Sequence, residues 1–438
     1  MTPTTIAQIS RLELQDLSTP LVATITDVKQ LSSYNWIEAR SPTIAVPGTP
    51  PLWSAPSGPR QLKKDSGLVY IAQNAARHPD SPLEPLFRAL CITNPSFDIR
   101  LIDVVTDRNN IRKLLSFINP TMTRNGLEAF TINIEVTKHT AIFCRDETAT
   151  HEFIGPDEFK GYGREFEKAY TTRQIAASTG HHRIISYRFG GLNFIVRYET
   201  DGYVDTDTRM SSSSSKDPKS DSLSSMLESL SLSPTNSLPI TTPGSKLTVK
   251  EEGQMISLES TLELKTRVIH KRIEIQEVAP QLWISQTPKL VRAYHQRGTF
   301  PVPEVEDVAA DIKTWEEDNQ ILLRKLAALI SKIIDVVKGC GGNAIVKYDR
   351  LGDKLVIWKV DKKKMLPDDL YSMWDDVADV EASSDNNVAA VKPVNGTEGK
   401  VDGKSAVFSP GERKGKHGSA TDRMGSPPWK KDLLEVLN

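Results

Sequence analysis

The sequence is poor in the features that mark secreted and membrane proteins. Among 438 residues it has three cysteines, Cys91, Cys144 and Cys340, without CxxC spacing. So few scattered thiols argue against a disulfide scaffold or a zinc site and favour a reducing compartment. The first residues hold no apolar core of signal-peptide length, and no run approaches the roughly 20 apolar residues of a membrane span. We therefore expect a protein of the nucleus or cytoplasm, neither secreted nor membrane-bound.

An excess of charge of one sign is also missing. The 55 lysines and arginines nearly balance 56 aspartates and glutamates, so the formal net charge is −1. Any nucleic-acid binding must therefore come from a local basic patch, not from a field of the whole molecule. Hydrophobic residues make up 38% of the chain, enough for one large or two ordinary domains.

Two segments lack the apolar residues that a core needs. Residues 207–247 are rich in Ser and Pro, and residues 361–438 are acidic and then basic. Such compositions predict disordered linkers or interaction tails, through which a protein partner would bind. We expect an N-terminal extension over 1–84, partly irregular, and a folded domain over 85–360 that the first segment interrupts.

Helices and strands alternate through the expected domain without an internal repeat. Helical spacing predicts helices at 83–90, 109–118, 159–175 and, as one long helix, 311–339. Alternating patterns predict hairpins at 129–144 and 343–360, two strands divided at Gly190–Gly191, and further strands at 258–269 and 288–296. The predicted fold class is α+β, with a mixed, largely antiparallel sheet flanked by helices.

Two strand-like stretches each carry a pair of charges two residues apart, Glu199 with Asp201 and Glu263 with Lys265. Residues i and i+2 of a strand share one face, so these charges are costly unless a cation sits among them. Mg²⁺ and similar ions prefer oxygen ligands, and two such ions can clamp a phosphodiester. Glu263, Asp201 and the Leu264 carbonyl would then bind metal, and Lys265 would face the scissile phosphate. The alternative is that these are ordinary exposed strands, which often carry such pairs.

An acid followed after a spacer by ExK is the core pattern of the PD-(D/E)XK nucleases, and further pieces resemble the decapping exoribonuclease (DXO-type) family in their order. Roughly residues 85 to 360 are covered. The matching segments are TDRNNIRKLL with Arg108 and Lys113, YGREFEKAY with Gly163, Phe166 and Glu167, the ExD of Glu199 and Asp201, ELKT from Glu263 to Thr266, and LWISQ with Trp283 and Gln286.

This resemblance implies a nuclease-like fold and a role for each matched residue. Glu167, Asp201, Glu263 and the Leu264 carbonyl would hold two Mg²⁺ or Mn²⁺ ions, with Glu199 as a direct or water-mediated ligand. Lys265 and Gln286 would contact the scissile phosphate, with Arg108 and Lys113 binding the RNA 5′ end. The implied reaction is removal of pyrophosphate or an incomplete cap from RNA 5′ ends, with 5′-to-3′ exonuclease activity in some members.

Several readings stay open beside this one. Glu167 and its neighbour Glu165 both suit a solvated helix face, and Arg108 and Lys113 could pair with Asp103 or Asp107. Arg108 lacks the Trp and Gly that usually flank it in the family, and the Ser-rich segment lengthens the gap between ExD and ExK. The chain could be an inactive relative that binds RNA or protein.

A competing resemblance comes from the N-terminal part. The stretches SPTIAVPGTPPLW and DSGLVYIAQNAARHPDSPLEPLFRAL look like fungal proteins often labelled geranylgeranyl pyrophosphate synthetase. Such a synthase needs two DDxxD motifs on facing helices to bind diphosphate through Mg²⁺. The sequence has none, because Asp368–Asp369 and Asp375–Asp376 have the wrong spacing. We rank that activity last.

Overall fold

A computed structural model describes residues 4–122, 126–205, 240–361 and 364–375 of the chain. The stretch SLSSMLESLSLS, for which a linker was favoured over a short amphipathic helix, lies outside these ranges, as does most of the predicted tail. The described residues form a mixed α+β structure, which confirms the predicted fold class. None of its described helices is long and apolar enough to cross a membrane.

The strands, in chain order, are β1 (Thr4–Ser10), β2 (Thr26–Ile37), β3 (Thr43–Pro47), β4 (Leu52–Trp53), β5 (Arg60–Gln61), β6 (Gly67–Tyr70), β7 (Val104–Asp107), β8 (Thr131–Thr137), β9 (Thr140–Asp146), β10 (His151–Ile154), β11 (Thr171–Thr172), β12 (Ser178–Phe189), β13 (Leu192–Glu199), β14 (Gly202–Tyr203), β15 (Ile240–Thr241), β16 (Thr248–Glu252), β17 (Thr261–Val268), β18 (Lys289–His295), β19 (Thr299–Phe300), β20 (Glu306–Asp307), β21 (Asn343–Asp349) and β22 (Lys354–Lys359). The α-helices are α1 (Gln73–Arg77), α2 (Glu84–Thr93), α3 (Arg108–Ile118), α4 (Gly163–Tyr170), α5 (Ile275–Ser285), α6 (Ala309–Asp318) and α7 (Gln320–Gly339).

Most of these strands belong to two sheets, and the others form two sheets of two strands each. The larger has twelve strands in the order β1-β22-β21-β8-β9-β7-β13-β12-β2-β3-β16-β15 and is mostly antiparallel, with β7 parallel to both neighbours. The smaller has six strands in the order β11-β4-β14-β17-β18-β20. In it β17 runs parallel to β18 and antiparallel to β14. The predicted ExD and ExK strands therefore belong to different sheets.

Helices cover both faces of the larger sheet. The apolar sides of α3, α5, α6 and α7 form one hydrophobic core with β8, β13, β21 and β22. On the other face, α2 packs against β2 and β3 in a second core. A third core joins α4 to the smaller sheet through Phe166, Tyr170 and Leu264. The apolar faces that the amphipathic spacing predicts for these helices therefore pack against the sheets.

Three sequence-based boundaries differ from those of the structure. The expected N-terminal extension supplies β2 and β3 to the larger sheet, because β2 pairs along its length with β12. The expected disordered segment 207–247 ends in ordered structure, since Leu247 is buried and β15 begins at Ile240. The tail begins in structure too, because a 3₁₀ helix, Asp368–Trp374, packs into the second core.

Two predicted helices also differ in extent. The helix predicted over 159–175 spans only Gly163–Tyr170, because Thr171 and Thr172 pair with β4 instead. The long helix predicted over 311–339 is broken at Asn319, whose side-chain amide donates to the Trp315 carbonyl at 2.8 Å. A side chain that bonds the backbone in this way competes with the regular helical ladder.

Candidate active site

The candidate site lies where the chain passes from the larger sheet to the smaller one. β13 ends at Glu199, and only Thr200 and Asp201 separate it from β14. Gly202 suits this crossing, because a Cβ there would lie 3.0 Å from the Pro51 carbonyl oxygen. Glu199 and Asp201 therefore enter the site from a junction between sheets and not from one regular strand.

β17 supplies the acid at the centre of the site. Glu263 and Lys265 lie on one face of this strand, and Lys265 Nζ donates to Glu263 Oε1 at 2.6 Å. The same oxygen accepts a hydrogen bond from Gln281 Nε2 of α5, and Oε2 accepts one from Arg108 Nη1 at 3.2 Å. Three nitrogen donors thus converge on a carboxylate that is only 3% exposed.

These donors keep Glu263 ionised. Burial by itself would raise the pKa of the Glu263 carboxyl group, but attraction to Lys265 and Arg108 outweighs burial and lowers the pKa to about 2. Arg108 is the first residue of α3, and its guanidinium also lies 5.5 Å from the centroid of the Tyr198 ring. Arg108 therefore pairs with Glu263, a partner that the sequence analysis did not consider, and not with Asp103 or Asp107.

Asp201 is tied to the backbone of β17. Its Oδ2 accepts a hydrogen bond from the Leu264 amide at 2.7 Å. Burial raises the pKa of Asp201 well above its ordinary value, and repulsion from Glu263 and Glu167 adds to this effect. Asp201 is therefore held against the ExK strand in a strongly acidic environment.

α4 brings Glu167 into the same environment. The helix begins at Gly163, where a Cβ would lie 3.5 Å from Thr266 Oγ1 of β17. Burial raises the pKa of Glu167 to about 7, with a contribution from repulsion by Glu199 and Glu263. Glu165 is engaged elsewhere, because its carboxylate pairs with Lys168 at 2.6 Å.

Glu199 connects the acids to an open cleft. Glu199 is exposed to solvent at the cleft, and protein surrounds it on the other sides. The surrounding protein raises the pKa of its carboxyl group. Attraction to Arg164 and Arg108 acts to lower this pKa, whereas repulsion from Glu263 acts to raise it. The cleft has a volume of about 140 Å³, and Arg108, Arg112 and Arg145 line it together with Glu199. This basic cleft beside the acids is a local basic patch of the kind that nucleic-acid binding would need in a chain of balanced charge.

The wall of the cleft also holds buried polar atoms in need of partners. Gln73 Oε1 and His182 Nδ1 accept or donate no hydrogen bond among the described residues. Both side chains are more than nine-tenths buried and line the cleft. Because buried polar atoms are normally hydrogen-bonded, these two favour a polar ligand in the cleft.

Two residues expected at the site have other partners. Lys113 pairs with Glu147, beside Arg145. Gln286 caps its own helix, since its side-chain amide donates to the carbonyl of Trp283, which is itself buried in the core. The glutamine that contacts Glu263 is Gln281, five residues earlier and within α5.

The sequence analysis missed Gln281, Arg112, Arg145 and Gln73. Only Arg112 had a local signal, because it stands four residues after Arg108 and so shares its helix face. Asp107, considered as a partner of Arg108, instead binds Arg197, with Arg197 Nε donating to Asp107 Oδ1 at 2.7 Å. That buried pair fixes the start of α3, where Arg108 stands.

The carboxylates of the candidate site are chemically suited to bind a divalent cation. Carboxylate oxygens are the ligands that Mg²⁺ and Mn²⁺ prefer, and a cation would offset the repulsion around Asp201 and Glu167. In the part of the chain that the structure describes, no three acidic, histidine or cysteine side chains are gathered closely enough to hold an ion. Since Arg108, Lys265 and Gln281 donate to both oxygens of Glu263, a cation bound there would compete with these nitrogen donors.

Comparisons with known proteins support the fold. A family model described as a domain of unknown function, DUF8563, matches residues 5–374. No curated protein sequence matches the chain. The structure of Candida albicans Rai1 in complex with pU5 and Mn²⁺ is similar with a TM-score of 0.51 and 11% identity, over 85% of this chain and 99% of that one. At such low identity the likeness establishes a shared fold.

Two other solved structures are less similar in shape. Rai1 of S. pombe has a TM-score of 0.49 and 14% identity, over 81% of this chain and 99% of that one. Dxo1 of K. lactis, in complex with manganese, has a TM-score of 0.44 and 9% identity, over 81% of this chain and 98% of that one.

Proposed function

Starting from the finding that this chain belongs to the DUF8563 family of unknown function, we propose that it is a divalent-metal-dependent hydrolase of RNA 5′ ends. The reaction is attack of water on phosphorus near the 5′ end, which breaks a P–O bond and releases pyrophosphate or an incomplete cap. Continued 5′-to-3′ cleavage of the RNA body is the further activity that the same site would support.

The observation that carries this proposal is the convergence of four acids and one lysine beside a basic cleft. Glu167 comes from α4, Glu199 from β13, Glu263 from β17 and Asp201 from the junction between the sheets, and each acid is close enough to repel at least one of the others. Lys265 lies at hydrogen-bond distance from Glu263. Burying like charges in this way is costly and is typical of functional sites.

The shared fold adds support for the substrate class. The Candida albicans protein of this fold was captured with pU5, a short 5′-phosphorylated RNA, and Mn²⁺. The basic cleft of the present chain has the charge to receive the phosphates of such a strand.

Each residue has a separate task in the proposed reaction. Arg108, Arg112 and Arg145 attract the terminal phosphates, and Lys265 donates to an oxygen of the phosphate under attack. Gln281 orients Glu263, and the Leu264 amide orients Asp201. Glu167, Asp201 and Glu263 would hold the metal, with Glu199 beside them. A bound metal would supply an activated water and would neutralise charge on the phosphate.

The test is hydrolysis of RNAs that carry a 5′-triphosphate, a 5′-monophosphate or an unmethylated cap, in Mg²⁺ or Mn²⁺. Wild type is compared with Glu263→Gln and with Glu259→Gln, an exposed acid four residues earlier as a matched control. We expect Glu263→Gln and EDTA each to reduce turnover by about 10²-fold or more, and Glu259→Gln to leave it unchanged. No turnover by folded wild type on any of the three RNAs would refute the proposal.

One observation favours a second candidate, an inactive relative that binds RNA. Both oxygens of Glu263 are already engaged by nitrogen donors, so the acid is satisfied without a metal. Calorimetric titration separates the two functions, because a binding protein would take up RNA in the cleft but no Mn²⁺.

A further inference from the structure

Two short strands form a ribbon beside the cleft. β6 and β10 pair antiparallel as a sheet of their own, with Leu68 opposite Phe153 and Tyr70 opposite His151. Residues directly opposite on antiparallel strands place their side chains on the same face. One face of the ribbon therefore carries Leu68, Tyr70, His151 and Phe153, which we call the outer face.

The two faces of the ribbon differ in exposure. Val69 and Ile154, on the inner face, are buried against the protein. On the outer face Phe153 is 72% exposed and Leu68 is 54% exposed. His151 is exposed as well, and Tyr70 is half-buried. Exposed apolar and aromatic side chains grouped on one face are more typical of a binding surface than of a solvated edge.

The ribbon leads directly into the cleft. Ile71 and Ala72 follow β6 and line the cleft, and their amides donate to the Thr150 carbonyl at 2.8 and 2.9 Å. Arg145, a cleft residue, donates from Nη1 to the Ile71 carbonyl at 3.0 Å. The end of the ribbon that carries Tyr70 and His151 is therefore fixed to the cleft wall.

Cations accompany the ring side chains along this path. The guanidinium carbon of Arg77, which also pairs with Glu38 at 2.6 Å, lies 5.0 Å from the centroid of the Tyr70 ring. Beyond the other end of the ribbon, Lys64 Nζ lies 5.4 Å from the centroid of the half-exposed Phe159 ring. Rings and positive charges in one path are the combination that single-stranded nucleic acid binds, by base stacking and by phosphate attraction.

We propose that the outer face of the ribbon is a stacking platform for nucleobases of a single-stranded RNA whose 5′ end lies in the cleft. The identity of the polymer rests on the proposed function. Same-face residues of a strand are about 6.8 Å apart, so the Tyr70–His151 pair and the Leu68–Phe153 pair receive successive parts of an extended strand. Stacking of this kind is sequence-tolerant, because every base has a π-face.

The experiment measures binding without hydrolysis. Fluorescence anisotropy in EDTA gives the Kd of a fluorescent 5′-monophosphorylated RNA of ten nucleotides and of a dinucleotide, for wild type, Phe153→Ala, Phe153→Trp and Leu351→Ala. Leu351 is fully exposed at the turn between β21 and β22 and is the matched control. We expect Phe153→Ala to weaken the ten-nucleotide RNA about tenfold and to leave the dinucleotide unchanged. Phe153→Trp should restore the affinity, with quenching of its fluorescence.

Two results would overturn the platform. One is equal affinity of wild type and Phe153→Ala for the longer RNA. The other is a change from dimer to monomer in sedimentation with RNA affinity unchanged, which would assign the outer face to a second copy of the chain. The proposed function is tested separately, by hydrolysis of a 5′-triphosphorylated dinucleotide by Phe153→Ala, which lacks the ring of the platform. Binding that depends on Phe153 without any such hydrolysis would keep the platform and remove the hydrolase.

Discussion

At the scale of single residues, the glutamine that contacts the candidate site is Gln281 and not the predicted Gln286. Gln286 follows a tryptophan as the DXO-type pattern requires, yet its backbone is left-handed, with φ of 52°, and its side chain caps α5. Gln281 is 8% exposed and reaches Glu263. A motif fixes positions in sequence, whereas the direction of a side chain depends on where the helix ends.

The two glutamines should therefore respond differently to substitution. We expect Gln281→Ala to lower kcat about tenfold, because Glu263 loses a positioning partner, while KM changes less. Gln286→Gly should keep full turnover and change the free energy of unfolding by less than about 1 kcal/mol, since glycine adopts the left-handed conformation without strain. Steady-state kinetics with urea unfolding measures both, and an inactive Gln286→Gly would contradict this assignment.

His181 should make stability depend on pH. It is 1% exposed, its Nδ1 lies 2.9 Å from Asn35 Oδ1, and burial followed by repulsion from Arg183 holds its pKa well below the ordinary value. Below about pH 6.5 the unfolded chain takes up a proton that the folded chain does not, so stability falls with falling pH by about 1.4 kcal/mol per unit.

Urea unfolding at pH 7.5, 6.0 and 5.0 checks this dependence. We expect His181→Gln to flatten the pH profile, because it removes one titrating group and keeps an amide donor for Asn35. The exposed His139 provides the control, and His139→Gln should leave the profile as it is. A His181→Gln profile as steep as that of wild type would show that other groups dominate.

At the scale of elements, regular patterns were predictable and irregular junctions were not. The hairpin of β8 and β9, the helix α3 and the strand β17 follow directly from periodicity, because their apolar faces meet one core each. The passage of Thr200 and Asp201 between sheets has no periodic signal. For that reason the prediction that Glu199 and Asp201 share one face of one strand was wrong, because β13 ends at Glu199.

Trp374 shows that a polar composition can hide an ordered element. It is 2% exposed, its Nε1 donates to Thr140 Oγ1 at 2.8 Å, and its ring lies 5.6 Å from that of Phe87. Scattered apolar residues among acids lack helical or strand spacing, so the segment was read as tail.

Substitution of Trp374 tests this packing. Trp374→Ala should lower the free energy of unfolding by about 3–5 kcal/mol, because it leaves a large cavity in the second core. Asp375→Ala, next to it and exposed, should change it by less than about 0.5 kcal/mol. Guanidinium unfolding of both variants gives the comparison, and equal stability of both would place Trp374 outside the core.

At the scale of the whole molecule, charge is balanced overall but concentrated locally. A net charge of −1 gives little long-range attraction for RNA, whereas Arg108, Arg112 and Arg145 line the cleft beside Arg197, which Asp107 neutralises. If these arginines neutralise three phosphates, the logarithm of RNA affinity should fall with the logarithm of salt concentration with a slope of about −2. Arg112→Ala should reduce the steepness by about 0.7 in a salt titration followed by anisotropy. An unchanged slope would exclude Arg112 from phosphate binding.

The central claim is that the acids at the junction of the two sheets bind divalent metal. The most direct measurement is an anomalous difference map from crystals grown with Mn²⁺, collected above the manganese absorption edge. The account predicts a peak among Glu167, Asp201 and Glu263, with Arg108 displaced from Glu263. Ordered Mn²⁺ elsewhere, or none, with Arg108 still bound to Glu263, would contradict it.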